Sequence, residues 1–81
     1  MKKIKIVNKN KIVDKGEEIY EGIKATLEPE HKGEIVAIEV TTGDYFIGKD
    51  VTSADRKARE KYPDEVFYLA KIGYNAVWHF R

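Results

Sequence analysis

The sequence predicts a small α+β domain in which two helices alternate with two β-hairpins. Residues 34–48, EIVAIEVTTGDYFIG, combine β-branched residues, alternation and a turn signal, as a hairpin does. Residues 14–28 instead repeat apolar side chains at helical spacing. A second helix over 53–62 and a second hairpin over 65–81 complete the order helix, hairpin, helix, hairpin. We therefore expect one domain over residues 14–81, with a four-stranded sheet.

Length and composition restrict the class of protein. A chain of 81 residues forms one domain with a small core. It has no cysteine, which excludes disulfides and thiolate metal sites and is typical of a reducing cytoplasm. No apolar run is long enough to cross a bilayer, and the lysine-rich start lacks the apolar stretch of an export signal. We expect a cytoplasmic protein that does not enter a membrane.

Charge is uneven along the chain, although the formal net charge is only +1. Residues 1–15 contain six lysines and one aspartate, whereas the remaining residues contain nine basic and thirteen acidic groups. Residues 1–13 therefore form a basic N-terminal arm or an extra strand. Residues 3–7 alternate as a strand would, and residues 12–13 would be its return strand. Chain ends are often poorly ordered, however, and both interpretations stay open.

The first hairpin is expected to turn through a three-residue loop that ends at Gly43. Glycine adopts the positive φ of such a loop without steric cost. This loop would pair Ile38 with Phe46 and Ala37 with Ile47. Phe46 would then lie on the same face as Ile38, while Glu39 would lie opposite Tyr45 and hydrogen-bond to it.

Two helices are expected, and the first has the stronger pattern. Asp14 can cap a helix over 14–28, which presents one apolar stripe and stops before Pro29. Thr52 is the expected N-cap of the second helix, over 53–62, which has few apolar residues apart from two alanines and a tyrosine. We expect this second helix to bury little surface by itself.

The second hairpin is expected to join a strand over 65–72 to a closing strand over 76–81. Its turn would contain Gly73, Tyr74 and Asn75. If the strands that flank the second helix are parallel, their crossover should be right-handed.

Large apolar groups occupy both faces of both predicted hairpins, and one good helix and one poor helix should not cover them. Uncovered apolar surface of this kind usually marks an interface. The sequence therefore predicts a protein-interaction or regulatory module that forms a homodimer or binds a partner protein. The residues expected at that interface are Ile19, Tyr20, Ile23, Tyr45, Phe67, Leu69, Tyr74 and Trp78.

Nucleic-acid binding through the basic arm is the alternative function, because lysines can neutralise phosphates. The lysines concerned are Lys2, Lys3, Lys5, Lys9 and Lys11.

No pattern of residues indicates an enzyme, a metal site or a cofactor. The glycines occur singly, which excludes a phosphate-binding loop, and the two histidines lack the spacing of metal ligands. An aspartic protease needs its aspartate before Thr-Gly or Ser-Gly, whereas Asp44 follows Thr42-Gly43. His31 lies among several glutamates and could join a metal site or titrate, but a solvated loop residue is favoured.

The segments IYE, EPEHKG, VAIEV, TGDYFIG, AREKYPD and IGY together resemble a family of small uncharacterised prokaryotic proteins of about this length. The similarity covers roughly residues 16–80 and leaves out the lysine arm. Members usually have proline after IGY, where this chain has Asn75. The resemblance implies no enzymatic activity. Its members' proximity to genes for retropepsin-like proteases suggests a two-component, antitoxin-like arrangement.

Overall fold

The computed structural model describes the backbone of residues 9–74 and 77–78, and the side chains of residues 13–74. The elements, in chain order, are α1 (Lys9–His31), β1 (Ile35–Glu39), β2 (Tyr45–Gly48), α2 (Val51–Lys61), β3 (Phe67–Lys71) and β4 (Val77–Trp78). The protein is α+β with two helices in its described part, as the sequence predicts, and its sheet is antiparallel.

The sheet has β1 at its centre. Its strand order is β2-β1-β3-β4, and every neighbouring pair is antiparallel. β4 contains only two residues, and the rest of the expected closing strand over 76–81 lies outside the described residues, so a complete second hairpin is not confirmed. β2 and β3 run parallel to each other with β1 between them. The handedness of their crossover stays a prediction.

The first helix is longer at both ends than expected. α1 begins at Lys9, so Asp14 lies inside the helix and residues 12–13 are not a return strand. It also continues through Pro29 to His31. Proline removes one N–H and crowds the preceding turn, but only two helical residues follow it here. The expected strand over 3–7 lies outside the described residues.

The register of the first hairpin differs by one residue from the expected one. Ile38 pairs with Tyr45 and Ala37 with Phe46. The Gly43 N–H donates to the Glu39 carbonyl, and the Glu39 N–H donates to Asp44, both at 2.8 Å. The loop therefore holds four residues instead of three. Because side chains alternate along a strand, Phe46 lies on the opposite face from Ile38, and the predicted face was wrong.

The second helix begins earlier than expected. Its N-cap is Asp50 and not Thr52, and the Asp50 carboxylate accepts a hydrogen bond from the Ser53 N–H at 2.8 Å. Asp50 has the extended backbone that an N-cap residue adopts.

The two helices cover opposite faces of the sheet. On the face under α1, the buried residues of the sheet are Val36, Ile38, Tyr68 and Ala70, and Ile72 lies directly after β3 on the same face. On the face under α2, the buried residues of the sheet are Ile35, Ala37, Phe67 and Leu69. All nine are at most 4% exposed. The expectation that apolar sheet would stay uncovered is therefore wrong for the described part of the chain.

Close approach explains how a helix with few apolar residues covers a sheet face. Ala54 and Ala58 of α2 are fully buried. A Cβ at Gly48 would lie 2.4 Å from the Ala54 backbone nitrogen, so the start of α2 rests directly on β2. The larger side chains Phe67 and Leu69 come from the sheet instead. The small residues of α2 thus cover this face of the sheet, because they allow the backbones of α2 and β2 to lie in contact.

α1 also approaches the sheet closely, at Gly16. A Cβ at this position would lie 2.2 Å from the Tyr68 Cγ atom, so the ring of Tyr68 occupies the space that a side chain would need. Among the described residues, the buried Tyr68 hydroxyl has no hydrogen-bond partner. Burial raises the pKa of Tyr68 to about 12, and the carboxylate of Glu17 adds to this effect.

Two glycines of α1 give a matched test of this packing. Gly16→Ala should destabilise the fold by several kcal/mol, since overpacking of a filled core typically costs ~1–3 kcal/mol and this contact is severe. Gly22→Ala meets nothing within 4 Å and should stabilise the fold by ~1 kcal/mol through helix propensity. Urea unfolding of both variants measures the difference. Equal effects would show that α1 does not lie against Tyr68.

Removing the Tyr68 hydroxyl should leave the protein at least as stable at neutral pH, because an unpaired buried hydroxyl costs ~1–3 kcal/mol. The raised pKa predicts a second effect. The contribution of Tyr68 to the free energy of unfolding is fully present below the ordinary pKa of 10.0. It is lost as pH rises toward about 12, because tyrosine ionises at lower pH in the unfolded chain than in the folded protein.

Unfolding of wild type and Tyr68→Phe, followed from neutral pH to the alkaline range, should therefore show a steeper loss in wild type. Tyr45→Phe is the control, because Tyr45 is exposed. A marked loss of stability in Tyr68→Phe at neutral pH would mean that the hydroxyl does have a partner.

Candidate functional site

Three of the residues expected at the interface lie in the core. Phe67 and Leu69 are fully buried under α2, and Tyr20 is 5% exposed. The Tyr20 hydroxyl donates to the Lys71 carbonyl at 3.3 Å and accepts from the Gly73 N–H at 3.2 Å. In this chain these three side chains hold the fold together and are not available to a partner, so their placement at the surface was wrong.

The other expected interface residues do not form one surface. Tyr45 and Tyr74 are exposed, at 40% and 49%, and lie at opposite ends of the sheet. Ile19 and Ile23 are half-buried and pack against the core under α1. The side chain of Trp78 lies outside the described part of the chain.

The lysines of the alternative function are mostly outside the described residues. This holds for Lys2, Lys3 and Lys5. Lys9 and Lys11 belong to the first turn of α1, with no description of their side chains.

A buried glutamate organises the loop of the first hairpin. Glu39 is 1% exposed, and its Oε1 accepts from the Thr42 N–H at 2.9 Å and from the Thr42 hydroxyl at 3.0 Å. Its Oε2 accepts from the Thr41 N–H at 3.3 Å. The expected bond to Tyr45 is replaced by these three. They satisfy the carboxylate locally, which favours a structural role over general acid–base catalysis.

Asp44, the residue after this loop, joins the hairpin to the end of α2. Its Oδ2 accepts hydrogen bonds from the Tyr62 hydroxyl and from the Lys61 ammonium, the latter at 3.0 Å. The bond from Tyr62, followed by that from Lys61, lowers the pKa of Asp44 below its ordinary value. Asp44 in turn raises the pKa of Lys61. The tyrosine ring also packs edge-on against Phe46, with centroids 6.2 Å apart.

An open cleft of about 320 Å³ adjoins this cluster. Its walls are formed by Gly43, Asp44, Tyr45, Phe46 and Lys61. Aromatic surface, a carboxylate and an ammonium thus line one open cleft at the start of β2.

The cleft lies beside the outer edge of β2. The Glu39 N–H donates to the Asp44 carbonyl, so the backbone groups of Asp44 face β1. Because these groups alternate in direction along a strand, those of Phe46 also face β1, and those of Tyr45 and Ile47 point outward. The Lys57 ammonium donates to the outward carbonyl of Ile47 at 2.7 Å, as this orientation requires. Among the described residues, no other hydrogen bond is made to the outward groups of these two residues.

His31 and Glu34 form another close pair of titratable groups, with Nδ1 and Oε1 2.7 Å apart. Within the described ranges, no group of three or more potential metal ligands is brought together. In the same part of the chain, neither helix is long and apolar enough to cross a bilayer.

Comparison of the chain with protein families, curated proteins and solved structures finds no match to any of the three. The resemblance to the small prokaryotic family stays a prediction.

Sequence reasoning missed the contact between Asp44 and Tyr62. The two residues are 18 positions apart, and only the packing of α2 against the hairpin brings them together. The Glu39 contacts had a local signal, since threonines two and three residues after a strand carboxylate can supply its donors.

The lowered pKa of Asp44 can be tested with Tyr62→Phe, which keeps the ring against Phe46 and removes only the hydroxyl. The pKa of Asp44 should rise toward 3.8, because this hydrogen bond is the largest single cause of its lowering, and Lys61→Met should raise it too. Titration of the Asp44 carboxyl carbon by NMR measures both.

The pKa of Asp44 also makes the free energy of unfolding depend on pH. A lowered pKa contributes stability that is present above the ordinary value and lost as pH falls through the folded value. Tyr62→Phe should therefore show a smaller loss of stability in acid. An Asp44 that titrates identically in wild type and Tyr62→Phe would contradict this account.

Proposed function

We propose that this protein is a protein-interaction module that binds an extended segment of another chain along the outer edge of β2. Supporting this, the backbone groups of Tyr45 and Ile47 point away from β1, and Tyr45 is exposed beside the cleft. An unpaired strand edge is a template for a further strand, and flanking side chains provide the specificity.

The observation that carries this proposal is the meeting of strand edge and cleft at Tyr45. A strand added here would bond to the Tyr45 backbone while its side chains reach the cleft between Phe46 and Lys61. Tyrosine is a frequent anchor of protein interfaces because it buries a large ring without losing many rotamers. The Lys57 ammonium donates to the Ile47 carbonyl and would limit non-specific pairing of other strands with this edge.

The original reason for expecting a partner, an uncovered sheet face, does not support the proposal, since α1 and α2 cover the two faces. The edge takes its place. A second copy of this chain fits it as well as a different protein does, because antiparallel pairing of two β2 strands about Phe46 is symmetric. The regulatory, antitoxin-like role implied by the resemblance stays a prediction, and so does nucleic-acid binding by the N-terminal lysines.

Two substitutions at Tyr45 separate backbone pairing from the contribution of the ring. Tyr45→Pro removes an outward N–H that β1 does not use, so the sheet should survive while strand addition fails. Tyr45→Thr keeps the N–H and removes the ring. We expect association to be lost in Tyr45→Pro and weakened about tenfold in Tyr45→Thr, the usual effect of removing an interface anchor of ~1.4 kcal/mol.

Sedimentation equilibrium of the purified chain tests for a second copy. Affinity capture from native cells, with wild type and both variants as bait, tests for a different protein, and circular dichroism confirms that each variant is folded. The proposal fails if wild type is monomeric at high micromolar concentration and no captured protein distinguishes it from Tyr45→Pro.

A further inference from the structure

We propose a second binding site at the opposite end of the sheet, where the ammonium groups of Lys32 and Lys71 lie over the Tyr74 ring, and that its ligand is single-stranded nucleic acid. This site is separate from the edge of β2 and uses none of the N-terminal lysines. Its parts are an exposed aromatic ring, two ammonium groups over that ring, and a turn that holds the ring and Lys71 in place.

The turn that carries Tyr74 is fixed from several sides. The Tyr74 N–H donates to the Lys71 carbonyl at 3.1 Å, and Gly73 provides the positive φ, 83°, that this turn needs. Beneath it, the buried Tyr20 hydroxyl bridges the Lys71 carbonyl and the Gly73 N–H. Two hydrogen bonds join Ile72 to the segment before β1. The Ile72 N–H donates to the Glu34 carbonyl, and the Ile72 carbonyl accepts from the Gly33 N–H, each at 2.8 Å.

Two cations come to the ring from different elements. The Lys71 ammonium lies 4.8 Å from the Tyr74 ring centroid, and the Lys32 ammonium lies 5.9 Å from it. The stem of Lys32 crosses Gly73, where an added Cβ would lie 2.7 Å from the lysine Cγ. Among the described residues, no carboxylate forms an ion pair with either ammonium, and the nearby Glu34 carboxylate is paired with His31.

This arrangement matches the chemistry of a single strand better than that of a duplex or of a small anion. An unpaired base of any sequence can displace an ammonium group from the face of the exposed ring and stack there, while the displaced ammonium neutralises an adjoining phosphate. A base stacked in a duplex would not reach the ring. A small anion would use the lysines but would gain nothing from Tyr74, which is 49% exposed.

Binding is measured by fluorescence anisotropy with labelled oligothymidylate and oligouridylate at low salt. Tyr74→Leu should weaken binding roughly tenfold or more, the loss expected for one stacked base. Replacement of Lys32 and Lys71 by glutamine should lower the slope of log affinity against log salt by about 1.4, which corresponds to two phosphate contacts.

Matched variants distinguish binding at this site from general attraction of the oligonucleotide to positive charges elsewhere on the protein. Lys15→Gln with Lys49→Gln changes the net charge equally and should leave affinity nearly unchanged. A variant with glutamine at the five N-terminal lysines should keep the dependence on Tyr74. The proposal is overturned if wild type binds neither oligonucleotide at low salt, or if Tyr74→Leu binds as tightly as wild type. Equal displacement of the oligonucleotide by polyglutamate of the same charge would also overturn it, because a polymer without bases cannot stack.

Discussion

The register of the first hairpin is the constraint on which the rest of the structure depends. Glu39, buried at the end of β1, binds the backbone of the loop and leaves four residues between itself and Asp44. This loop length assigns Phe46 to the face under α2 and Ile47 to the face under α1. A slip of one residue would exchange them. It would also move Asp44 away from the position at which Tyr62 and Lys61 reach it.

The covering of both sheet faces follows from small residues as much as from large ones. Gly48, Ala54 and Ala58 let α2 lie directly on the sheet, and Gly16 lets α1 lie on Tyr68. At Ala54, Ala58 and Gly16 the helix provides the space and the large side chain comes from the sheet, whereas at Gly48 the sheet provides the space for the helix backbone. A helix that looks too polar to bury much surface can therefore close one face of a small core, provided that backbones approach closely.

A sheet covered on both sides leaves its edges and turns as the places where the described part of the chain can bind other molecules. The two exposed tyrosines lie at such places, Tyr45 at the start of the edge strand β2 and Tyr74 in the turn after β3. Each is accompanied by charge: a paired carboxylate and ammonium near Tyr45, and two ammonium groups near Tyr74. The first suits a polypeptide backbone with mixed side chains, and the second suits a polyanion with aromatic bases.

The sequence by itself determined the α+β class, the order of the elements and the alternation of β1 and β3, because these depend on periodicity along short segments. It also determined that Gly43 ends the hairpin loop. Only the tertiary structure decided the loop length, the reach of α1 to Lys9 and past Pro29, and the burial of Tyr20, Phe67 and Leu69. When both faces of a strand are apolar, alternation fits two registers equally well. The closeness with which a helix packs depends on residues from distant segments that the local pattern does not connect.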